Sequence, residues 1–302
     1  NTYKGFGQVE GTSKKVDWFA AISLASTSFW RTGNYQTGLF PNNSLGDSEK
    51  QSFFNYGIKA GAIYKLSGRH LIRLNGAHLT RAPFSRTAFV SPRTRDQVVP
   101  DLESEKLMSG DISYLVRYPK LKARATLFHT TLKDKTWSRS FYNDELNTFV
   151  NYMMTGVDQV FTGLEFGAEA NITSTIIVTG AFATGKFLYD SRPKATIIQD
   201  NSTELLAEDK TVYFKNFRIG GIPQTAASIG VQYRSPKYWF IGTNFNYFAD
   251  IYLDANPDRR TEEAISKYVS SDPQVIEIVG QTKLDNDFTL NLFAGKSWKL
   301  KD

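Results

Sequence analysis

Tight turns and long loops alternate along this chain without a break, and few folds accommodate that rhythm. Short polar connections fall at residues 13–17, 66–69, 118–122, 171–175 and 234–238, with Ser67-Gly68 and Ser235-Pro236-Lys237 as examples. Between them lie long loops that begin near residues 31, 82, 138, 191 and 253. The segments they join alternate with period two. His70, Ile72, Leu74 and Gly76 interleave with Leu71, Arg73, Asn75 and Ala77, and Ile112, Tyr114, Val116 and Tyr118 interleave with Asp111, Ser113, Leu115 and Arg117. Alternation rich in aromatic and β-branched residues predicts strands. A meander with every tight turn at one end and every long loop at the other suits a transmembrane barrel, whose periplasmic turns are short and extracellular loops long. The expected fold class is all-β, an antiparallel up-and-down transmembrane β-barrel.

About 11 strands are predicted on this pattern. They fall near residues 2–13, 17–31, 52–66, the pair flanking the loop 82–104, then 121–137, 148–172, 175–190, 224–234, 238–252 and 283–299. The strand 148–172 should bend at Gly156, and a short helix is expected around Arg260–Tyr268. Crossing a bilayer takes ~9–11 tilted strand residues, so most of these strands should project beyond it. One face of the strands is small or polar, with Asn75, Arg124, Gln232, Asn244, Asn246 and Asn291 expected to point inward. Ile72, Leu74, Leu127, Ile229, Val231, Phe245 and Leu290 are expected to face lipid. Aromatics near strand ends, among them Trp30, Tyr64, Tyr118, Trp239 and Trp298, suit interfacial girdles.

Composition agrees with this architecture. The 302 residues include no Cys, which excludes disulfides and thiolate chemistry. No run approaches ~18 apolar residues, so no transmembrane helix is expected. A mean hydropathy of −0.35 leaves a barrel open, because lipid-facing and lumen-facing residues average out. The net charge of +6 comes without a Lys/Arg-rich run or an RNA-binding aromatic motif, which argues against nucleic acid as a partner.

Two motifs carry a family resemblance. Leu79-Thr80-Arg81-Ala82-Pro83-Phe84 and Val99-Pro100-Asp101-Leu102-Glu103-Ser104-Glu105 stand in order around one long loop, and an alternating strand follows. They resemble the strand end and loop of TonB-dependent outer-membrane receptor barrels, in details like the Bacteroidetes branch. Ser104 stands where the family usually has Pro, and Val99 where it usually has Asn. The resemblance implies an outer-membrane location in a Gram-negative bacterium. It also implies energy-coupled uptake of a scarce, bulky nutrient such as a siderophore, cobalamin, glycan or peptide. Partners would be membrane lipid, the nutrient ligand, a plug domain, the TonB energy-transducing complex and a surface lipoprotein. The alternative class is an adhesion or binding barrel, or a passive channel without energy coupling. Plugged transporters of this kind use roughly 22 strands. Residues 1–302 are therefore expected to be part of one barrel domain, with the plug and the remaining strands outside this chain. The chain opens within a predicted strand and lacks the family's aromatic last residue, which fits the same expectation.

No catalytic constellation is present, so no enzyme activity and no cofactor are expected. The sequence has neither HExxH nor Gly-x-Ser-x-Gly nor a phosphate-binding Gly-rich loop. His70 and His78 share a strand face but lie eight residues apart, too far to hold one metal. Asp250, Asp254 and Asp258 gather oxygen ligands at a strand end without EF-hand spacing, a weak candidate for Ca²⁺. Asp101, Glu103 and Glu105 are expected to cap or to pair with Arg93 and Arg95, and Arg259-Arg260 to form a salt-bridge cluster with Asp258 and Glu262. Ligand contact is expected from the long-loop side, at 138–150 and 191–222, with 253–281 next. Trp137, Arg139, Phe141, Tyr142, Asn143 and Asn147 are the best candidates, because rings cover apolar ligand faces while amides and guanidinium bond a polar rim.

Overall fold

The period-two segments form a single antiparallel sheet in the computed structural model, which describes residues 1–298 except 144–146, 201, 203 and 270. Strands β1 (Thr2–Thr12), β2 (Val16–Phe29), the two-residue β3 (Thr32–Gly33) and β4 (Gly46–Asp47), β5 (Gln51–Lys65) and β6 (His70–Arg81) come first. A helical turn α1 (Ser85–Ala88) precedes β7 (Glu105–Tyr118), β8 (Leu121–Asn143), β9 (Thr148–Asn171) and β10 (Ile176–Tyr189). Then follow β11 (Lys194–Gln199), β12 (Leu205–Thr211), β13 (Pro223–Arg234), β14 (Trp239–Ile251), α2 (Glu262–Ile265), α3 (Pro273–Val279) and β15 (Asp287–Lys296). The order across the sheet is β1-β2-β5-β6-β7-β8-β9-β10-β13-β14-β15, each strand beside its neighbour in the meander. The expected eleven-strand meander is thus present, with all five predicted turns between paired strands.

Three features differ from the sequence reading. Residues 138–143, read as the start of a loop, are strand: β8 runs on to Asn143 and pairs with β9 from Thr148. The rest of that expected loop, 144–146, lies outside the described residues. Ser, Asn and aromatic residues read as a loop by composition, but here cross-strand pairing and burial decide the conformation. Within 191–222, β11 and β12 form a further hairpin. The expected helix at Arg260–Tyr268 is a 3-10 turn at Asp258–Arg260 followed by the four-residue α2, with α3 farther on.

Register fixes which residues share a face. Leu74, Ile112, Leu127 and Leu164 lie in one row across β6 to β9, and Ile229, Phe245 and Leu290 in another across β13 to β15. Leu127 is 59 % exposed, Ile229 56 % and Leu290 63 %, so this apolar face is bare of protein. Water does not tolerate such a surface at this size, and lipid does. On the opposite face Asn75 donates from Nδ2 to Asp111 Oδ1 at 3.0 Å, Ser228 donates to Asn246 Oδ1 at 2.7 Å, and Arg124 sits 3.7 Å from Glu165. A recess of about 480 Å³ opens on this polar face between β1 and β6, beside Gln8, Glu10, Arg73 and Asn75. Polar wall inward and apolar wall outward is the arrangement of a water-filled barrel.

A charge placed on the outer wall should therefore cost far more than one on the inner wall at the same height. In the full receptor, Ile229→Arg should destabilise the barrel by roughly 2–4 kcal/mol, whereas Asn244→Arg should cost about 1 kcal/mol or less. Denaturant unfolding in lipid vesicles measures both, and equal losses would reverse the assignment of faces.

Candidate functional site

The apolar core of this protein lies at the long-loop end. β8 and β9 have 23 and 24 residues, more than twice a bilayer crossing, so their outer halves stand in water. Asp134 at φ 57° and Gly156 at φ 68° mark bulges where the register shifts between Leu132 and Trp137. Gly156 provides the left-handed backbone that a Cβ would strain, and it is where the sequence predicts a bend. Beyond the bulges β11 adds to the edge of β9, and β12 adds to β11. One face of this projecting sheet carries Val150, Tyr152, Met154 and Ile197, covered by Val212, Phe214 and Ala255 from the flanking loops and by Tyr189 at the end of β10. On the other face Met153 and Ile198 pack under Val90 and Val99 from the loop 82–104. Inside the membrane the apolar side chains point to lipid, so hydrophobic burial within the protein is concentrated where water surrounds it.

Buried guanidinium groups tie the loops together. Arg95 is fully buried; its Nη1 donates to the carbonyls of Asp200 at 3.1 Å and Ser202 at 2.9 Å, and it stacks 4.5 Å over the Phe40 ring. Three loops meet on that one side chain. Burial holds its pKa below the ordinary arginine value, and Asp200 only partly offsets this. Arg31 pairs with Asp96 at 2.5 Å and donates to the carbonyl of Pro92 at 2.7 Å. The expected partners of Arg95 are thus corrected: it binds carbonyls, while Glu105 pairs with Arg81 and Glu103 lies 3.9 Å from Lys106. Arg260 is corrected likewise. It donates to the carbonyls of Asn256 and Gly280 and stacks on Phe217, and Lys210 pairs with Glu263. Loop backbone that leaves a sheet exposes carbonyls, and a fork-shaped donor satisfies several at once.

The sequence-selected residues sit on the hairpin of β8 and β9. Trp137 and Phe141 are half-buried against Tyr152, at ring separations of 6.3 and 5.7 Å. Arg139 is exposed, pairs with Asp254 at 3.0 Å and lies 5.0 Å over Trp137. Tyr142 is 48 % exposed at the tip, edge-on to Phe149. Asn143 is buried and donates to Asp258 Oδ2 at 3.1 Å; Asn147 is exposed at φ 49°. Asp250 instead accepts from Lys283 at 2.7 Å and Thr225 at 2.8 Å. Asp250, Asp254 and Asp258 therefore have separate partners, and among the described residues no group of three or more His, Asp or Glu is placed to hold a metal ion. The sequence reading did not single out Arg192 or Tyr213, and it gave Arg95 carboxylate partners in place of the carbonyls it binds. The alternation of aromatic and basic residues in Tyr213-Phe214-Lys215-Asn216-Phe217-Arg218 was the available signal.

A sheet with a lipid-facing outer wall, a polar inner wall and a packed cap of long loops defines an outer-membrane β-barrel. A family model described as TonB dependent receptor-like, beta-barrel matches residues 14–302. The chain belongs to that family, the TonB-dependent receptor barrels, and so to the outer membrane of Gram-negative bacteria. Solved structures agree in fold. The copper transporter OprC is 14 % identical with a TM-score of 0.68, over 99 % of this chain and 40 % of its own. The ferric-catecholate import receptor Fiu of Escherichia coli K12 is 15 % identical with a TM-score of 0.57, over 99 % of this chain and 38 % of its own. The FrpB iron transporter of Neisseria meningitidis is 12 % identical with a TM-score of 0.59, over 98 % and 38 %. This chain thus spans about two fifths of the length of the structures it resembles. No curated protein matches it in sequence.

Two substitutions test the loop core. Arg95→Ala removes a buried donor to two carbonyls and should loosen the mouth by roughly 2–4 kcal/mol. Hydrogen exchange should rise at 85–100 and 196–202 but not in β13 and β14. The Tyr152 hydroxyl is buried with no hydrogen-bond partner among the described residues. Tyr152→Phe should accordingly leave stability unchanged or raise it by about 1 kcal/mol, as read from thermal unfolding of the full receptor.

Proposed function

We propose that this chain forms part of the wall and much of the mouth of a receptor that takes a scarce, bulky nutrient across the outer membrane with energy from a TonB complex. The observation that carries the reading is the family match over 14–302. The open sheet supports the idea that further strands complete the barrel. β1 and β15 each have one neighbour among the described residues, and lipid tolerates no unpaired edge. A plug domain would lie against the polar inner wall. The ligand classes that fit are siderophore, cobalamin, glycan and peptide; the copper, ferric-catecholate and iron cargoes named for OprC, Fiu and FrpB lend weight to a metal chelate.

The ligand contacts we assign on this hairpin are Arg139, Tyr142 and Asn147, which are exposed; Trp137 lies under Arg139, with Phe141 and Asn143 on the same face, and Phe149 is edge-on to Tyr142. Rigid support under an exposed aromatic and a guanidinium lowers the ordering cost of binding. In whole cells making the full receptor, nutrient accumulation should stop when the inner-membrane proton gradient is collapsed, while binding at the cell surface persists. Accumulation that survives the collapse would favour a passive channel, and binding with no accumulation under any condition an adhesin. With surface display held equal, Arg139→Ala with Tyr142→Ala should weaken ligand binding at least about fivefold. Unchanged affinity would remove this hairpin from the site.

A further inference from the structure

The loops 191–222 and 253–281 enclose a second recess, of about 330 Å³, that the hairpin residues do not reach. That volume is at the small end of ligand pockets. Arg192, Lys215 and Arg260 line it, and no carboxylate does among the described residues. Tyr213 and Phe217 form aromatic walls, and Ile265 and Val279 add an apolar floor. Arg192 stacks 5.3 Å over Tyr213 and Arg260 stacks 4.9 Å over Phe217. Stacking occupies a face of each guanidinium group; the N–H edge of Arg192 stays open to acceptors, while Arg260 already donates to the carbonyls of Asn256 and Gly280 and contributes chiefly its charge.

The balance of charge in the recess is unfinished. Arg260 is 6 % exposed, meets only backbone carbonyls, and its Nε has no partner among the described residues. A buried cation normally has a counter-charge. Burial and the neighbouring Arg259 both push the Arg260 pKa down, and no carboxylate pulls it back. Among the described residues Lys215 has one carboxylate partner, Asp190 at 3.4 Å, with both side chains half exposed to water. Arg192 has no ion-pair partner among the described residues and is open to solvent.

We propose that this recess binds the anionic group of a small ligand, a carboxylate or phosphate carried on a planar or apolar body. The anion would lie among the three cations and the body against Tyr213 and Phe217. The inference rests on the receptor reading, since it names a chemical class that the mouth would take, but its test needs no energised membrane. Benzoate, benzamide and inorganic phosphate serve as probes against the purified full receptor in detergent, read by saturation-transfer NMR. Benzoate should bind and be displaced by phosphate, and neutral benzamide should not bind. Arg192→Gln with Lys215→Gln changes two solvent-facing groups and should weaken benzoate at least about fivefold. Arg260→Gln should do the same, provided its unfolding transition matches that of the parent; if it does not, the double variant alone decides. Benzoate and benzamide binding alike, or benzoate unaffected by the double variant, would overturn the proposal. Failure of this binding would leave energy-dependent uptake untouched, and loss of uptake coupling would leave the binding result standing.

Discussion

In a membrane every backbone N–H and C=O must find a partner within the protein, and the architecture follows from that demand. Lipid supplies no hydrogen bonds, so each strand between β1 and β15 takes its two neighbours from the meander itself. Consecutive pairing from β1 through β15 satisfies the ladder locally, and short turns such as Ser67-Gly68 keep successive strands adjacent. The same constraint turns the usual core inside out. Leu74, Leu127 and Ile229 turn about half of their surface away from the protein toward acyl chains, while Asn75, Asp111 and Asn246 hydrogen-bond between neighbouring strands on the wet inner face.

Where the strands leave the bilayer the rules of a water-soluble protein return. The outer halves of β8 and β9 carry apolar residues on both faces, with Met153 on one and Tyr152 and Met154 on the other. Water demands that both be covered, and the loops 82–104, 191–222 and 253–281 do so. The loops consequently behave as a small packed domain grafted on the rim. Their irregular backbone explains why Arg95, Arg260 and Arg31 are spent on carbonyls and loop-to-loop pairing, where sequence alone offers nearer carboxylates as partners.

The wall was legible in the sequence because period two is imposed by the backbone and by the contrast between lipid and lumen. His70 to Ala77 displays it over a single strand, and register carries it across the sheet. The mouth was less legible. Residues 138–143 read as a loop because the hairpin they form with 148–153 is held by cover from farther along the chain: Met154, opposite Trp137, also lies opposite Ala195. Trp137 and Phe141 were chosen as aromatic contacts, and only the packing around Tyr152 reveals their structural duty. The recess among Arg192, Lys215 and Arg260 joins residues nearly seventy positions apart, a juxtaposition no local pattern encodes.

The reach of Arg95 has a consequence for how the protein is made. Its carbonyl partners at Asp200 and Ser202 lie 105 and 107 residues farther along the chain. Closure over such a span is entropically slow and gains nothing until both ends are in place. β7, β8, β9, β10 and β11 must all be laid down before that contact can form. The wall therefore can assemble strand by strand while the mouth remains unlocked, and the rim becomes a late event of biogenesis. Val90 and Val99 from the early loop and Ile198 from the late one cover each other in the finished rim, so this apolar cluster too is complete only after β11 is in place.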